Sequence, residues 1–301
     1  MLNNSKGTVV ALGYFDGVHK GHKAVLEKAL SVAKEKNLAP KVLIFSTHPK
    51  KVLTGNMPPM LTDNETKAKL LREMGFELIS FDFEKNMNMS AEDFAKDFLS
   101  KKLSAKAVVC GYDYRYGKNG AGTPQKLKED LKEENIQVYS VDGVKLGEDI
   151  VSSSKIRQLI IDGDIKRANE MLGRVFSYDR VVERGDALGR KLGFPTINQS
   201  FQKDFIVPKF GVYASVVNLG GKNYPGVTNI GVRPTVDGEN LKSETCILGF
   251  SGDLYGKYAN VGLLEFLRGE KKFSSVEELS IAVKKDMEKA RTVYNEVMKN
   301  G

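Results

Sequence analysis

Apolar positions in the first half of the chain fall into short unbroken runs separated by longer stretches with helical spacing. Thr8–Leu12 is such a run, and Ala24, Val25, Leu26, Ala29, Leu30, Val32 and Ala33 then mark a helix ending near Asn37. Lys41–Ser46 reads as a buried strand, Thr62 with Glu65 as a capping box opening a helix through Met74, and Leu78–Phe81 as the next strand. Ala91–Leu99 predicts a helix and Ala107–Cys110 a strand. Thr123 as N-cap with Pro124 at the first helical position opens a polar helix to Asn135, and Ile136–Val141 is strand again. Ser152 and Ser153 precede a helix over Lys155–Ile161 that stops at Gly163. Strands separated by helices of this length imply a doubly wound parallel sheet.

The pattern changes near Leu172-Gly173-Arg174. Short β-type runs (Val212–Val217, Cys246–Phe250, Val261–Phe266) then alternate with turns containing Gly, Pro and Asn as far as about Arg268, which predicts a small antiparallel barrel. A long helix closes the chain. Ser274 and Glu277 read as its capping box, and Val276, Leu279, Val283, Met287, Ala290 and Val297 recur at helical spacing. The expected architecture is an α/β domain over residues 1–172 followed by a β-barrel domain with a C-terminal helix over residues 173–301.

Composition narrows the class. At 301 residues the chain favours two domains, and 41% hydrophobic with 28% charged residues describes a globular protein, not a disordered or membrane one. No stretch approaches the roughly 18 apolar residues of a spanning helix, and Met1–Lys6 has no signal-peptide apolar region, so the expected location is cytoplasmic, with no membrane partner. Cys110 and Cys246 stand far apart without a CxxC partner and read as small buried hydrophobes. The net charge of +8 is spread evenly: 27 basic against 23 acidic side chains up to residue 171, and 19 against 15 beyond. A mild, even surplus suits anionic small molecules better than nucleic acid, which demands a concentrated stripe.

The histidines carry the sharpest local signal. His19, His22 and His48 all lie in the first 48 residues, and two of them belong to Gly13-Tyr14-Phe15-Asp16-Gly17-Val18-His19-Lys20-Gly21-His22. This segment leaves the first strand and opens the first helix, where backbone N–H groups and the helix dipole favour phosphate. Gly17 and Gly21 let the backbone approach a ligand, and His19 and His22 stand close enough to donate to one anionic group. Without neighbouring Cys or carboxylates at zinc spacing, a metal is the weaker reading of the pair.

The segment resembles the GxFDGxHxGH motif of HxGH nucleotidyltransferases, and specifically the adenylyltransferase module of bacterial bifunctional riboflavin kinase/FAD synthetases. Thr47-His48-Pro49, Gly111-Tyr112-Asp113-Tyr114-Arg115-Tyr116-Gly117 and Ser152-Ser153-Ser154-Lys155-Ile156-Arg157 match further stretches of that family in order. Leu188 to Asn198, containing Gly189, Gly193, Phe194, Pro195, Thr196 and Asn198, is similar to the GRxLGFPTAN motif of its riboflavin kinase module. Gly211-Val212-Tyr213, Asn229 to Thr235, Glu244, Asp253 to Gly256 and Phe266 to Phe273 follow. Thr47, Ser154, Ile197 and Cys246 depart from the family's usual residues, and most of these changes keep the hydrogen-bonding group or alter only packing.

The resemblance implies a Rossmann-like N-terminal domain and a riboflavin kinase-type barrel, with two ATP-dependent steps. Gly13, Phe15, Asp16, His19, His22, Asp113, Arg115, Ser152, Ser153, Ser154 and Arg157 would bind ATP for adenylylation, His19, His22 and Arg157 acting on the phosphates. Gly189, Gly193, Phe194, Pro195, Thr196, Asn198, Tyr213, Asn229 and Arg268 would bind flavin and ATP for phosphorylation. There Glu244 would be the catalytic base, and Thr196 and Asn198 would hold Mg²⁺, an ion suited by hard oxygen ligands. The implied partners are riboflavin, FMN, FAD and ATP, with at most weak homo-oligomerisation and no nucleic acid. Two rival readings are a single-activity riboflavin kinase with a regulatory N-terminal domain and an RNA-binding protein, the latter disfavoured by the even charge.

Overall fold

The computed structural model describes residues 7–185, 189, 193–235 and 238–300, with the side chains of 233–240 and 300 outside that description. The motif residues Leu188, Arg190, Lys191 and Leu192 therefore lie outside the described residues. The chain divides into two compact units, Met1–Ser153 and Ser154–Gly301.

The first unit contains β1 (Thr8–Leu12), α1 (Lys20–Lys36), β2 (Ala39–Phe45), α2 (Pro49–Thr54), α3 (Asn64–Glu73), β3 (Glu77–Phe81), α4 (Phe83–Asn86) and α5 (Ala91–Asp93). A π-helical segment (Phe94–Lys102), β4 (Ala105–Gly111), α6 (Pro124–Asp130), β5 (Gln137–Val141) and a small hairpin of β6 (Lys145–Leu146) and β7 (Asp149–Ile150) complete it. The five long strands form a parallel sheet in the order β3-β2-β1-β4-β5. Because helices cover both faces, the central strand β1 is buried throughout, and polar residues such as Glu77 of β3 and Gln137 of β5 fall on the outer strands. Val9 and Ala11 of β1 pack with Leu26, Ala29 and Val32 of α1. Val10 and Leu12 point the other way, into a core shared with Phe94, Phe98 and Leu127. Each large side chain so buried contributes roughly 1.5–3 kcal/mol, far more than the propensity differences within α1.

Local corrections have local causes. The helix opening near Thr62 is capped by Asp63, whose side chain accepts from the Thr66 amide at 2.7 Å, because the Thr62 hydroxyl is engaged elsewhere, by the Gly17 amide. The predicted helix Ala91–Leu99 is a single α-turn continuing as a π-helix. The polar helix begun at Thr123 stops at Asp130 rather than Asn135, the chain then turning through a left-handed Asn135.

The second unit starts with α7, whose printed range Ser153–Asp162 straddles the boundary, and α8 (Ile165–Leu172), a helix the sequence pattern did not indicate. Asn169 of α8 ties to the barrel: its amide donates to Leu263 O at 2.9 Å, and its Oδ1 accepts from Phe176 N at 2.7 Å. The barrel comprises β8 (Phe176–Val181), β9 (Thr196–Ser200), β10 (Gly211–Leu219), β11 (Lys222–Thr235), β12 (Gly238–Ile247) and β13 (Tyr258–Arg268), antiparallel in the order β8-β13-β10-β11-β12-β9. The two edges meet at a Glu183–Asn198 bridge, and Gln199 Nε2 donates to both Arg180 O and Ala259 O at 2.8 Å, fastening the closure. Cys246 lies near the end of β12, and Leu248–Phe250 fall beyond it, so the predicted Cys246–Phe250 strand is displaced.

α9 (Val276–Asn300) lays Met287, Ala290, Val293 and Val297 against Val212, Ala214 and Val216 of β10. Val276 is exposed. The cap is one residue later than expected: Ser275 Oγ accepts from Glu278 N, and Glu278 Oε2 accepts from both Ser274 N and Ser274 Oγ.

Candidate active sites

In the first unit the strand order reverses between β1 and β4, and ligands of open α/β sheets bind outside the carboxyl ends of strands at such a point. The segment Gly13–His22 occupies it. Phe15 (φ 54°) and Val18 (φ 40°) adopt left-handed backbone although neither is glycine, and both side chains are buried. Such strain persists only where the surroundings fix it. Asp16 supplies the fixing: buried itself, it accepts from Leu61 N at 3.0 Å and Thr62 N at 3.3 Å, while Gly17 N donates to Thr62 Oγ1 at 3.2 Å. Asp16, expected to bind ATP, is thus placed as the clamp of the loop.

His19 is the N-cap of α1. Its Nδ1 accepts from His22 N at 3.2 Å, so the neutral imidazole carries its proton on Nε2, and the two rings stack with centroids 3.6 Å apart. The first turn of α1 has no acidic residue of its own to repel an anion at the positive end of the helix dipole. Gly21 keeps this turn uncrowded: a Cβ there would stand 3.2 Å from both His19 Nδ1 and Val151 O, a tight contact. Gly13, His19, His22, Asp113, Ser152 and Ser153 line a crevice of about 280 Å³, and Ser153 Oγ donates to Asp16 O at 2.9 Å. Ser154 and Arg157 lie on α7, in the second compact unit.

A larger, aromatic cavity of about 620 Å³ adjoins this crevice, with Phe45, Phe81, Phe83, Phe94, Tyr116 and Arg115 in its wall. Tyr14 and Tyr114 line both spaces. Arg115 therefore faces the aromatic cavity, whereas Asp113, two residues earlier, faces the crevice. Motif reading missed Lys67 altogether: it is buried on α3 with Nζ 4.3 Å from the Tyr14 ring centroid. Burial pushes its ammonium below the usual lysine value, and the Asp16 carboxylate offsets part of that shift.

The barrel holds a separate cavity of about 320 Å³. Strand register explains its composition: Asn198 of β9 is opposite Glu244 of β12, which is opposite Asn229 of β11, and Thr196 is likewise opposite Cys246. All five line the cavity, with Gly189, Phe194 and Arg268. Gly185 makes room for the polar row, since a Cβ there would lie 2.5 Å from Asn198 Nδ2, and Gly189 lets the Phe194 carbonyl oxygen approach, a Cβ there falling 2.5 Å from it. Arg268 is held by Asp286 of α9, donating from Nη2 at 2.8 Å and Nε at 3.0 Å to Oδ2.

Three expected residues lie elsewhere. Tyr213 follows Val212 in a strand, so alternation sends its ring to the opposite face, where it is fully buried and its hydroxyl donates to Lys209 O. Pro195 lines an adjoining cavity of about 310 Å³ with Thr196, Asp253 and Tyr255. Gly193 stands in the turn before it with φ 81°.

A doubly wound sheet with a histidine-headed helix at its switch point, followed by a closed barrel with a carboxylate-and-amide cavity of its own, defines a two-module nucleotide-handling protein. Residues 2–155 match the family model described as FAD synthetase, and residues 172–294 match that described as riboflavin kinase. The bifunctional riboflavin kinase/FMN adenylyltransferase of Listeria monocytogenes is 35% identical over 292 residues, covering 95% of this chain and 92% of its own. That of Escherichia coli is 34% identical over 293 residues, covering 96% and 93%. The chain belongs to the bifunctional riboflavin kinase/FMN adenylyltransferase family. A crystal structure described as a macrolide-efflux protein from Streptococcus pneumoniae superposes with a TM-score of 0.87 at 32% identity, covering 96% of this chain and 94% of that one. Among the described residues of the present chain, no helix is long and apolar enough to cross a membrane.

Proposed function

We propose that this chain phosphorylates riboflavin to FMN in the barrel cavity and adenylylates FMN to FAD, releasing pyrophosphate, in the α/β unit. The observation that carries the reading is the presence in one chain of two separate polar-headed cavities, one built on His19 and His22 and one on Asn198, Glu244 and Asn229. We place the module boundary at 172/173, where the second family model begins, although the compact units divide at Ser153/Ser154.

In the barrel, Glu244 takes the proton of the ribityl 5′-hydroxyl as that oxygen attacks the γ-phosphorus of ATP and ADP departs. Thr196 and Asn198 are neutral oxygen donors two apart on one strand, with glycines packed behind them, a donor set that suits an ion binding mainly through phosphates and water. Mg²⁺ held there would neutralise charge on the phosphates. Arg268, fixed by Asp286, lines the same cavity, whose apolar residues Val212, Val227 and Leu279 suit the flavin ring.

In the α/β unit the nucleophile is the FMN phosphate, already an anion, so no general base is needed. Catalysis then consists of positioning and of donors aimed at the α- and β-phosphates: the start of α1, the Nε2–H of His19, and His22. The roles expected of Ser154 and Arg157 rest on the motif resemblance. The aromatic cavity beside the crevice suits the isoalloxazine ring. With ATP as donor in both steps, the cytoplasm is the proposed location.

Riboflavin and Mg-ATP supplied to the purified chain, with products resolved by mass spectrometry, test the reading. FMN followed by FAD is expected. FMN alone would return the chain to the single-activity alternative, and neither product would overturn the assignment.

A further inference from the structure

Lys67 stands where the amphipathic pattern of α3 asks for a hydrophobe. It shares the buried face of that helix with Leu71 and is only 4% exposed. Taking an ammonium out of water is costly unless nearby groups compensate. Two do so here: the Tyr14 ring, 4.3 Å from Nζ, and the Asp16 carboxylate, which acts on Lys67 electrostatically. Asp16 is itself bound to the amides of Leu61 and Thr62, just before α3, so the loop after β1 and the start of α3 are locked together. The Tyr14 ring packs against His48, centroid to centroid 4.2 Å, and with Tyr114 lines both the phosphate crevice and the aromatic cavity.

We propose that Lys67 is a positioning residue for adenylylation, its ammonium holding the Tyr14 ring as the wall against which the flavin ring of the acceptor is seated. The proposal rests on the reading of these two cavities given above. A residue that merely filled space would be replaced without loss by methionine, which has similar length and no charge. The cation is needed only if the orientation of the ring matters.

The test compares wild type, Lys67→Met, Lys67→Arg and Tyr14→Leu, with FMN and Mg-ATP varied separately and riboflavin phosphorylation by the same chains as the integrity control. Lys67→Met is expected to raise the KM for FMN roughly tenfold, the scale of one desolvated cation–π contact. The KM for ATP and the phosphorylation rate should stay at wild-type values, and Lys67→Arg should restore the FMN KM. Tyr14→Leu should raise the FMN KM similarly, and combining it with Lys67→Met should add little. An unchanged FMN KM in Lys67→Met, equal losses with both substrates, or additive effects in the double variant would each overturn the proposal. Should Lys67→Met not fold, a wild-type FMN KM in Tyr14→Leu would overturn it alone. Absence of FAD formation by wild type would instead defeat the underlying reading of the site.

Discussion

His19 Nδ1 accepts the backbone N–H of His22 at 3.2 Å while the two imidazoles stack at 3.6 Å. Capping the helix and facing a phosphate are therefore one arrangement: the cap fixes which nitrogen keeps the proton, and the stack fixes the ring plane. The two tasks separate by substitution. Asparagine also caps but lacks the second nitrogen, so His19→Asn should retain thermal stability and lose FAD formation. His19→Ala should lose both, the cap being worth about 1 kcal/mol. Calorimetry with an assay of FAD from FMN and ATP checks the pair, and an active His19→Asn would show that the ring serves the fold alone.

Glu244 lies directly across the β12–β9 ladder from Asn198. If it is the base, Glu244→Gln keeps the shape of the cavity and removes the proton acceptor. Phosphorylation of riboflavin should fall by about 10²–10⁴-fold, while added FMN is still converted to FAD at the wild-type rate. His22→Ala should do the reverse. Product analysis of the two variants side by side checks both, and loss of both activities from either folded single variant would contradict independent sites.

Much of this was legible in the sequence because local chemistry dictated it. The runs around Val10, Val42 and Val108 are apolar on both faces, as a parallel sheet covered twice requires. His19, Glu244 and Asn198 sit in motifs whose neighbours along the chain build the site. What escaped depends on contacts distant in sequence. Asp16 reads as a ligand within its motif, yet its partner Leu61 is 45 residues away. Thr62 reads as a helix cap, but the Gly17 amide holds its hydroxyl, and the cap passes to Asp63. Lys67 belongs to no motif, and periodicity does not reveal which aromatic ring a buried position of a helix will face. Tyr213 lay within a matching motif, and only strand alternation shows that it turns away from the cavity.

Both cysteines should resist modification in the folded protein. Burial pushes the Cys110 thiol up to about 11, and burial also raises that of Cys246, with Arg291 acting in the opposite direction. Thiolate is the reactive form, so at pH 8 neither presents an accessible nucleophile. Iodoacetamide at that pH should leave the native mass unchanged and add two carbamidomethyl groups in urea. Rapid native labelling of Cys246 would mean that its cavity opens to solvent far more than its 7% exposure implies.

Lys67 also makes a prediction about stability, and its sign follows from the direction of the shift. Burial lowers its folded-state pKa below the ordinary 10.5, with Asp16 opposing. Between the lowered folded value and 10.5 the unfolded chain holds more protons at this position than the native one, so stability contributed by this group rises with pH there. Below that window the cost of burying the charge is present in full; above it, the cost is gone. Exposed lysines such as Lys85, whose pKa is raised by Asp82, work in the opposite direction, so the wild-type curve alone does not isolate Lys67. Subtracting Lys67→Met does, because groups that do not interact with Lys67 cancel, and Asp16, the carboxylate that does, is a partner on the acid side of this pH window. The difference in Tm, wild type minus variant, should be near zero or negative at pH 7 and should climb as pH approaches 10.5. A difference that is large and positive at pH 7 and falls with pH would mean that the ammonium is held by a strong stabilising ion pair, and that the Tyr14 ring is not its principal partner.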